Sequence, residues 1–545
     1  MYAPQNQQPN VIDAMSGNLE DWYNAVDDCL KLSEIIPGNY EYTTATSYGN
    51  VGDINEGDTT YVDIATDRFK IISLDNSYIT LKQTVKITVP DQTNLLFKEY
   101  YIGYKCSCDA IDQYRIYSNT DKIQDIHNAR YEWFMFYNSL SDEAKSGNDC
   151  FATIDKIRNH DPMVPGVYVD LSAINAAKEI IVEIPLRIPL SYFLLLFNMR
   201  YYPNWAGKLS IELMPSYQNL VIAPIPNYDN ILLKNDDSDN DKREYYIDIR
   251  DIINSGDVDL GFRNINETVY NNIKETNSSG TYTYAKQQQQ FICNTQTTKD
   301  IKIKLAEYLL KMDVFNALAA KYIQVPLLFP IHICQVRDFT QEFIDDKSSI
   351  DTAATIGIRH CDTLFTVFRV NQYSRTCFLN PHISYRFNID GKMYPREDYT
   401  TVDDAKNINM LLDSVNLNGS LLSSLNEDLK TSIQPYYYKN TYNASGVKTT
   451  TRIWHGKDNS NFFIGLPFAE GEDFQGGIST TGTIQIELHG NRVNTTDYLA
   501  TSANASPVGI YFEDAILKIR SVKPEGRSQI EITNASVEQV INGLR

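Results

Sequence analysis

Short segments in which apolar and polar residues alternate recur along the whole chain. The clearest covers 79–89 and stops at Pro90, and similar segments occupy 110–117, 166–171 and 180–190. A period of two turns one face of a strand toward a core and the other away from it. Many such segments with turn residues between them predict an all-β protein with short helices, built from sandwiches rather than from a parallel sheet.

The chain is too long, at 545 residues, for one compact core, which predicts two large domains. A polar block at 235–245 is the predicted linker. The sequence then predicts a flexible N-terminal arm with a short helix at 1–40 and a first sandwich at 41–234. A second sandwich with long loops and a C-terminal tail is predicted at 246–545.

Four helices are predicted within this β-rich pattern. Apolar residues at helical spacing indicate them at 18–36, 130–145, 307–322 and 402–425. None interrupts the strand pattern for long, so the fold class stays all-β.

The two halves resemble each other. Residues 207–213 (GKLSIEL) match 482–488 (GTIQIEL) at an offset of 275 residues, and 114–116 match 385–387 at an offset of 271. The predicted helices near 130 and 402 differ by 272. The shared order and nearly constant offset predict a duplicated unit of about half the chain.

Charge and apolar content restrict the class of protein. The formal net charge is −20, and no basic run exceeds a pair such as Lys242-Arg243, so direct binding of nucleic acid is not expected. The longest apolar stretch, 192–197, is far too short to be a transmembrane segment, and the first ten residues have no basic and apolar signal-peptide pattern. The eight cysteines have no repeating spacing, which favours synthesis in a reducing host cytosol.

Several longer segments resemble one known family. Residues 102–116, the helix with Trp133, and 188–193 are similar to the first jelly roll of the major capsid proteins of virophages and Polinton-like viruses, in the adenovirus–tectivirus type of lineage. Residues 387–395 and 465–471 are similar to the second jelly roll. The resemblance covers most of 60–520 in patches.

This resemblance implies a fold and an assembly. The fold would be two tandem eight-stranded jelly-roll β-sandwiches, a double jelly roll. The chain would form a homotrimer with a pseudo-hexameric outline that tiles an icosahedral shell in the virion. Its partners would be neighbouring capsomers, penton proteins and minor capsid proteins. The protein would not be an enzyme, with no catalytic, cofactor-binding or metal-binding residues and no cofactor.

Two groups of possible metal ligands are weak. His332 and Cys334, with His360-Cys361, do not specify the four ligands of a closed zinc site, and half-buried strand positions are expected instead. The alternating aspartates of 237–241 lack the glycine and the final glutamate of a calcium loop, which favours a solvated linker.

Two other motifs also have simple structural explanations. Cys106 and Cys108 are too close along a strand for an ordinary disulfide, so two thiols on one strand face are expected. The Asn-x-Ser/Thr triplets at Asn443 and Asn534 are by-products of a composition rich in these residues.

Two other functions remain open from the residues alone. The 37 tyrosines would suit a carbohydrate-binding β-sandwich, as in a lectin or adhesin. A glycoside hydrolase would need two carboxylates flanking a cleft, and nothing in the sequence selects a pair, although acids such as Glu470 and Glu472 are abundant.

Overall fold

The structure is a computed structural model of the 545-residue chain. It describes residues 40–46, 53–64, 70–93, 95, 97–118, 121–193, 199–203, 208–225, 232–233, 245–246, 261–276, 282–309, 327–340, 349–357, 361–389, 391–401, 410–411, 414, 436–442, 444–454, 458–467, 483–492, 506–520 and 529–534.

Strands dominate the described residues. Those up to Leu309 are β1 (Tyr40–Thr46), β2 (Ile54–Asn55), β3 (Thr60–Ile64), β4 (Lys70–Val89), β5 (Glu99–Gly103), β6 (Ile111–Ser118), β7 (Asp121–Ile126), β8 (Gly166–Asp170), β9 (Lys178–Pro189), β10 (Tyr201–Pro203), β11 (Leu209–Pro215), β12 (Val221–Ile225), β13 (Leu232–Leu233), β14 (Tyr245–Tyr246), β15 (Arg263–Asn264), β16 (Thr268–Thr276), β17 (Tyr282–Gln290) and β18 (Ile292–Leu309).

The later strands are β19 (Leu327–Asp338), β20 (Ser349–Ile356), β21 (Cys361–Arg369), β22 (Ile383–Ile389), β23 (Lys392–Thr400), β24 (Tyr436–Tyr442), β25 (Lys448–Trp454), β26 (Ile464–Pro467), β27 (Ile484–Arg492), β28 (Ser506–Arg520) and β29 (Gln529–Asn534). The helices are α1 (Arg130–Ser139), α2 (Asp142–Ser146) and α3 (Ile154–Arg158), with 3₁₀ turns at Ser107–Ala110 and Leu190–Tyr192.

The strands after Leu327 form one complete jelly roll. One sheet has the order β19-β28-β21-β26 and the other β20-β27-β22-β23. Numbered along the chain as strands one to eight, these are the orders 1-8-3-6 and 2-7-4-5. Every neighbouring pair is antiparallel. Strands one to four therefore pair with strands eight to five, which is the jelly-roll pattern.

The strands before Leu309 repeat this pattern. The sheet β3-β11-β6-β7 has the order 2-7-4-5, and β12-β5-β8 supplies strands eight, three and six. The position of strand one, beside β12, is taken by β15. The predicted fold class, two eight-stranded jelly-roll sandwiches in an all-β chain, is confirmed.

The first half also carries a six-stranded sheet made from segments that lie before, between and after its jelly-roll strands along the chain. Its main path is β1-β18-β4-β10, with β9 paired to β4 and β2 to β18. The alternation predicted at 79–89 is confirmed on β4, where Ile79, Leu81, Val85 and Ile87 are buried together with Gln83, and the residues that alternate with them are partly or fully exposed.

The pairing moves the boundary between the halves. The sequence predicts a linker at 235–245, yet β15 pairs with β12, and β18 pairs with β4 along the six-stranded sheet. The strands up to Leu309 therefore belong with the first set of sheets, and we propose the boundary between 309 and 327. The pattern of a strand does not encode its partner, and the partners Thr80 on β4 and Lys302 on β18 lie 222 residues apart.

The helix predictions have different outcomes. The helix predicted at 130–145 is two helices, α1 and α2, because Ser141 caps α2 by accepting a hydrogen bond from Ala144 N at 3.2 Å. The helix predicted at 307–322 is wrong at its start, since Glu307 lies in β18. Of the helix predicted at 402–425, Met410, Leu411 and Ser414 are helical. The remaining residues of these last two segments, and 18–36, lie outside the described residues.

The predicted duplication agrees with the sheet order. The matched segments at 114–116 and 385–387 lie in β6 and β22, and those near 209 and 484 lie in β11 and β27. Each pair occupies the same place in its four-stranded sheet. The helical residues near 130 and 410 also both lie between strands five and six.

Two large apolar cores lie mostly in one half each, although the first also includes Ile331 of β19 and Ala515, Leu517 and Ile519 of β28. The first includes residues of β4, β6, β9, β11 and β18, and the second includes residues of β21, β22, β27 and β28. Within the described residues, no helix is long and apolar enough to cross a membrane.

Candidate functional site at the junction of the two jelly rolls

The structure describes two of the side chains considered as metal ligands, and these lie on β19 and β21, on either side of β28. Cys334 and Cys361 lie in the second apolar core, and burial raises the pKa of the Cys334 thiol well above its ordinary value. Cys361 Sγ donates to Thr363 O at 3.1 Å. His360 and the side chain of His332 lie outside the described residues. In the part of the chain that the structure describes, no three His, Cys, Asp or Glu side chains are grouped to hold a metal ion.

Cys106 and Cys108 are free buried thiols, but the expectation that they share one strand face is wrong. Cys108 lies in the 3₁₀ turn, and Cys106 precedes it. The turn forms because Asp109 Oδ2 accepts a hydrogen bond from Cys106 N at 3.0 Å, which a continuing strand would not allow. Asp109 is itself buried, and burial raises its pKa to about 7.

Of the other motifs considered above, the structure describes only the one at Asn534. The aspartates of 237–241 and Asn443 lie outside the described residues. Asn534 is the last residue of β29, opposite Ala515.

Helix α1 lies between the two apolar cores. Trp133 packs into the first core, with ring centroids 5.6 Å from Tyr114 and 5.8 Å from Phe193. Phe134, the next residue, packs into the second core, 4.8 Å from Phe378. A helix with apolar side chains on all sides is a buried helix, and α1 is buried because each side contacts a different half.

Lys105 reaches from the first half into the second. Its side chain is 2% exposed, and Nζ donates to Ser460 Oγ at 2.6 Å, Asn461 Oδ1 at 2.8 Å and Ser460 O at 3.2 Å. Asp458, fully buried, places Oδ2 3.5 Å from the same nitrogen. All three ammonium donors therefore have acceptors, which a buried lysine requires.

Asp458 organises the second half of this contact. Its Oδ1 accepts from Ser460 Oγ at 2.7 Å, and its Oδ2 from Asn461 Nδ2 at 2.7 Å. Oδ1 also accepts from Phe262 N, in the first half, at 3.2 Å. Gly261 adjoins this carboxylate so closely that a Cβ there would lie 3.0 Å from Asp458 Oδ1 and 2.7 Å from Asn459 Oδ1. The carboxylate thus binds backbone and side chains of both halves.

Asn264 makes a second polar contact across the junction. Its Oδ1 accepts from the backbone N–H groups of Arg375, Thr376 and Cys377 at 2.8, 3.0 and 2.9 Å. Its Nδ2 donates to Thr376 Oγ1 at 2.9 Å. One buried amide therefore satisfies four polar groups of a loop in the other half.

Glu267 and Arg263 complete the network. Glu267 Oε1 accepts from Ser374 Oγ at 2.6 Å, and Arg263 Nη2 donates to Asn459 Oδ1 at 3.0 Å. Burial raises the pKa of Glu267, while the Ser374 hydroxyl and Arg263 oppose that shift. All the charged groups named here have buried partners. These contacts are complete in one relative placement of the halves, and another placement would leave buried polar groups without partners.

Sequence reasoning missed this junction. Lys105, Asn264 and Asp458 match no chemical motif, and each acts on a partner far along the chain. The available signal was the polar run 458–461 immediately before Phe462 and Phe463. Such a run beside buried aromatics indicates polar groups that must find partners inside the protein.

The role that this arrangement supports is to hold the two sandwiches together. Side chains of both halves share a helix and a buried polar network, so the two sandwiches form one rigid unit rather than two domains on a flexible linker. The described junction residues include no nucleophile activated by a base and no pair of carboxylates across a cleft.

Comparison with solved structures gives the same architecture. A structure of mavirus major capsid protein superposes with a TM-score of 0.51 at 8% identity, covering 92% of this chain and 92% of that chain. The Sputnik virophage structure gives 0.49 at 10% identity, covering 93% and 91%, and the PBCV-1 virus capsid gives 0.41 at 11% identity, covering 91% and 97%.

Sequence comparison identifies no relative of this chain. No family model matches the chain, and no curated protein matches it significantly. The strand order and the mavirus superposition together assign the chain the double jelly-roll fold found in major capsid proteins of virophages.

Proposed function

We propose that this chain is a viral major capsid protein that forms homotrimers with a pseudo-hexameric outline. The trimers would tile an icosahedral shell in the virion, beside neighbouring capsomers, penton proteins and minor capsid proteins. Synthesis would take place in the host cytosol. The chain would have a structural role and no enzymatic one.

The observation that carries this proposal is the rigid junction between two jelly rolls of equal topology. A trimer of such chains has six similar sandwiches, and a sixfold outline requires that each pair keep one orientation. The Lys105–Asp458 and Asn264 contacts support that requirement, because a rotated pair would leave a buried charge or amide without partners.

The test is the absolute mass of the purified protein by light scattering, followed by electron microscopy of the same fraction. The expected mass is three times 62.2 kDa, about 187 kDa, with hexagonal particles or closed shells. A stable monomer at high protein concentration would overturn the proposal and return attention to a carbohydrate-binding sandwich, which a glycan array would examine.

A further inference from the structure

The outer face of the six-stranded sheet includes one surface formed by β4, β9 and β18. Residues directly opposite each other in antiparallel strands project from the same face. One row across the sheet is Lys302, Thr80 and Arg187. The adjacent row is Lys299, Lys82 and Pro185.

This face is basic although the chain is acidic. Six cations lie on it, Lys82, Lys86, Arg187, Lys299, Lys302 and Lys304, against Glu179 and Glu183, and the exposed Asp300 lies at the irregularity of β18 between Lys299 and Lys302. The whole chain carries a net charge of −20. The basic face is therefore a local reversal of the overall charge.

Ion pairs neutralise only part of the basic face. Lys82 pairs with Glu183 at 2.5 Å, Arg187 with Asp149 at 2.7 Å, and Lys299 with Asp53, next to β2, at 3.4 Å. Lys86 and Lys302 are exposed, and among the described residues neither has an acid within ion-pair distance. Their charges are available to a partner.

Exposed apolar side chains lie at one end of the same face. Ile181, opposite Lys86, is 64% exposed, and Ile292, opposite Thr88, is 43% exposed. Only seven large apolar side chains of the described residues are 40% exposed or more, and two of them share this end of the sheet. A partner that covered both would gain apolar burial as well as charge pairing.

We propose that the basic face contacts an acidic surface on a second copy of this chain. The proposal rests on the function proposed above, because copies that each carry −20 must pack side by side in a shell, and a basic face reduces their repulsion. Nucleic acid is a poorer occupant, since Glu179 and Glu183 would repel a uniform polyanion and the two isoleucines offer it nothing. A protein surface can pair with both signs of charge.

The test compares two double variants with equal charge change. Lys86→Glu with Lys302→Glu reverses the two available charges on the basic face. The matched control, Lys392→Glu with Lys448→Glu, reverses two exposed lysines on β23 and β25 of the second half. Sedimentation velocity at low and high salt would measure the association of wild type and both variants, and electron microscopy would measure the yield of shells.

The proposal expects the basic-face variant to need about tenfold or more protein to associate, or to lose shells, while the control behaves as wild type. Wild-type association should also weaken as salt rises. Equal association of both variants would overturn the basic-face proposal and leave the capsid function intact. A wild-type chain that stays monomeric would overturn the capsid function itself.

A parallel binding assay distinguishes a second copy of this chain from a polyanion as the occupant of the basic face. Double-stranded DNA and vesicles with anionic lipid would be added to wild type and to the basic-face variant. Binding that the variant loses, together with unchanged association between copies, would overturn the second-copy proposal in favour of a polyanion.

Discussion

The two jelly rolls have the same strand order but differ in how matched strands pair. In the first half, Glu212 on β11 lies opposite Arg115 on β6. In the second half, the matched residues Glu487 and Arg386 are no longer opposite, because Glu487 faces Asn388 and Arg386 faces His489. The register has shifted by two residues.

A shift of two residues keeps every side chain on its own face of the sheet, whereas a shift of one would exchange core and surface. The outward polar groups therefore changed partners while the buried ones kept their face. Arg115 now bridges Glu212 and Asp125 at 3.1 and 3.0 Å, whereas Arg386 pairs with Asp398 on the neighbouring strand. The apolar pattern of the strands determines the sheet order in both halves. The pairs of polar side chains on the outer face differ between the halves.

Helix α1 offers the strongest way to separate the halves. Trp133→Ala should destabilise the first half and Phe134→Ala the second, each by about 3–5 kcal/mol, because each removes a fully buried aromatic ring from one core. Hydrogen exchange read by mass spectrometry would show which half loses protection. Loss in the same half for both variants would contradict the placement of α1 between the cores.

The junction should break when its lysine is removed. Lys105→Met leaves Asp458 buried without its cation, which we expect to cost about 3–5 kcal/mol. Denaturant unfolding followed by tryptophan fluorescence should then show two transitions in place of one. Lys122→Met is the control, since Lys122 is 50% exposed in its ion pair with Asp125 and should be nearly neutral. One sharp transition for Lys105→Met would argue against a junction that couples the halves.

Asp109 should give the first jelly roll a pH dependence. Its folded pKa of about 7 lies above that of an unfolded aspartate, so the native state holds a proton that the unfolded state releases. Stability from this group is therefore complete below about pH 4, falls as pH rises toward 7, and is constant above it.

The size of this loss should be on the order of a few kcal/mol, and Asp109→Asn should remove it. Urea unfolding at pH 5 and pH 8 would measure the difference for wild type and variant. An equal pH dependence in both proteins would show that another group is responsible.

Removal of the ion pairs on the outer faces of these two sheets should change stability the least. Arg115→Ala removes an arginine that contacts two carboxylates, and about 0.5–1 kcal/mol is expected. Arg386→Ala removes one exposed pair and should cost about 0.5 kcal/mol or less. Thermal melting in low and high salt measures both, and a larger effect at Arg386 would reverse the ranking.

The fold could be predicted from sequence because its signals are local. Alternation at 79–89 and 180–190 reports two-faced strands, and the matches near 114 and 385 report the duplication. The boundary between the halves could not be predicted, because the sequence of β18 resembles that of any other strand. Only the pairing of β18 with β4 shows that it belongs to the first half. The junction could not be predicted for a related reason. The role of Lys105 depends on its hydrogen bonds to Ser460 and Asn461, which are distant in sequence.

The position of β18 has a consequence for synthesis on the ribosome. Thr80 and Lys302 are neighbours across the sheet, yet they are 222 residues apart in the chain. The six-stranded sheet of the first half is therefore incomplete until residue 309 has left the exit tunnel, and β4 waits with one edge unpaired. Contacts of such long range slow folding, so the first half emerges first but finishes only when the second has begun.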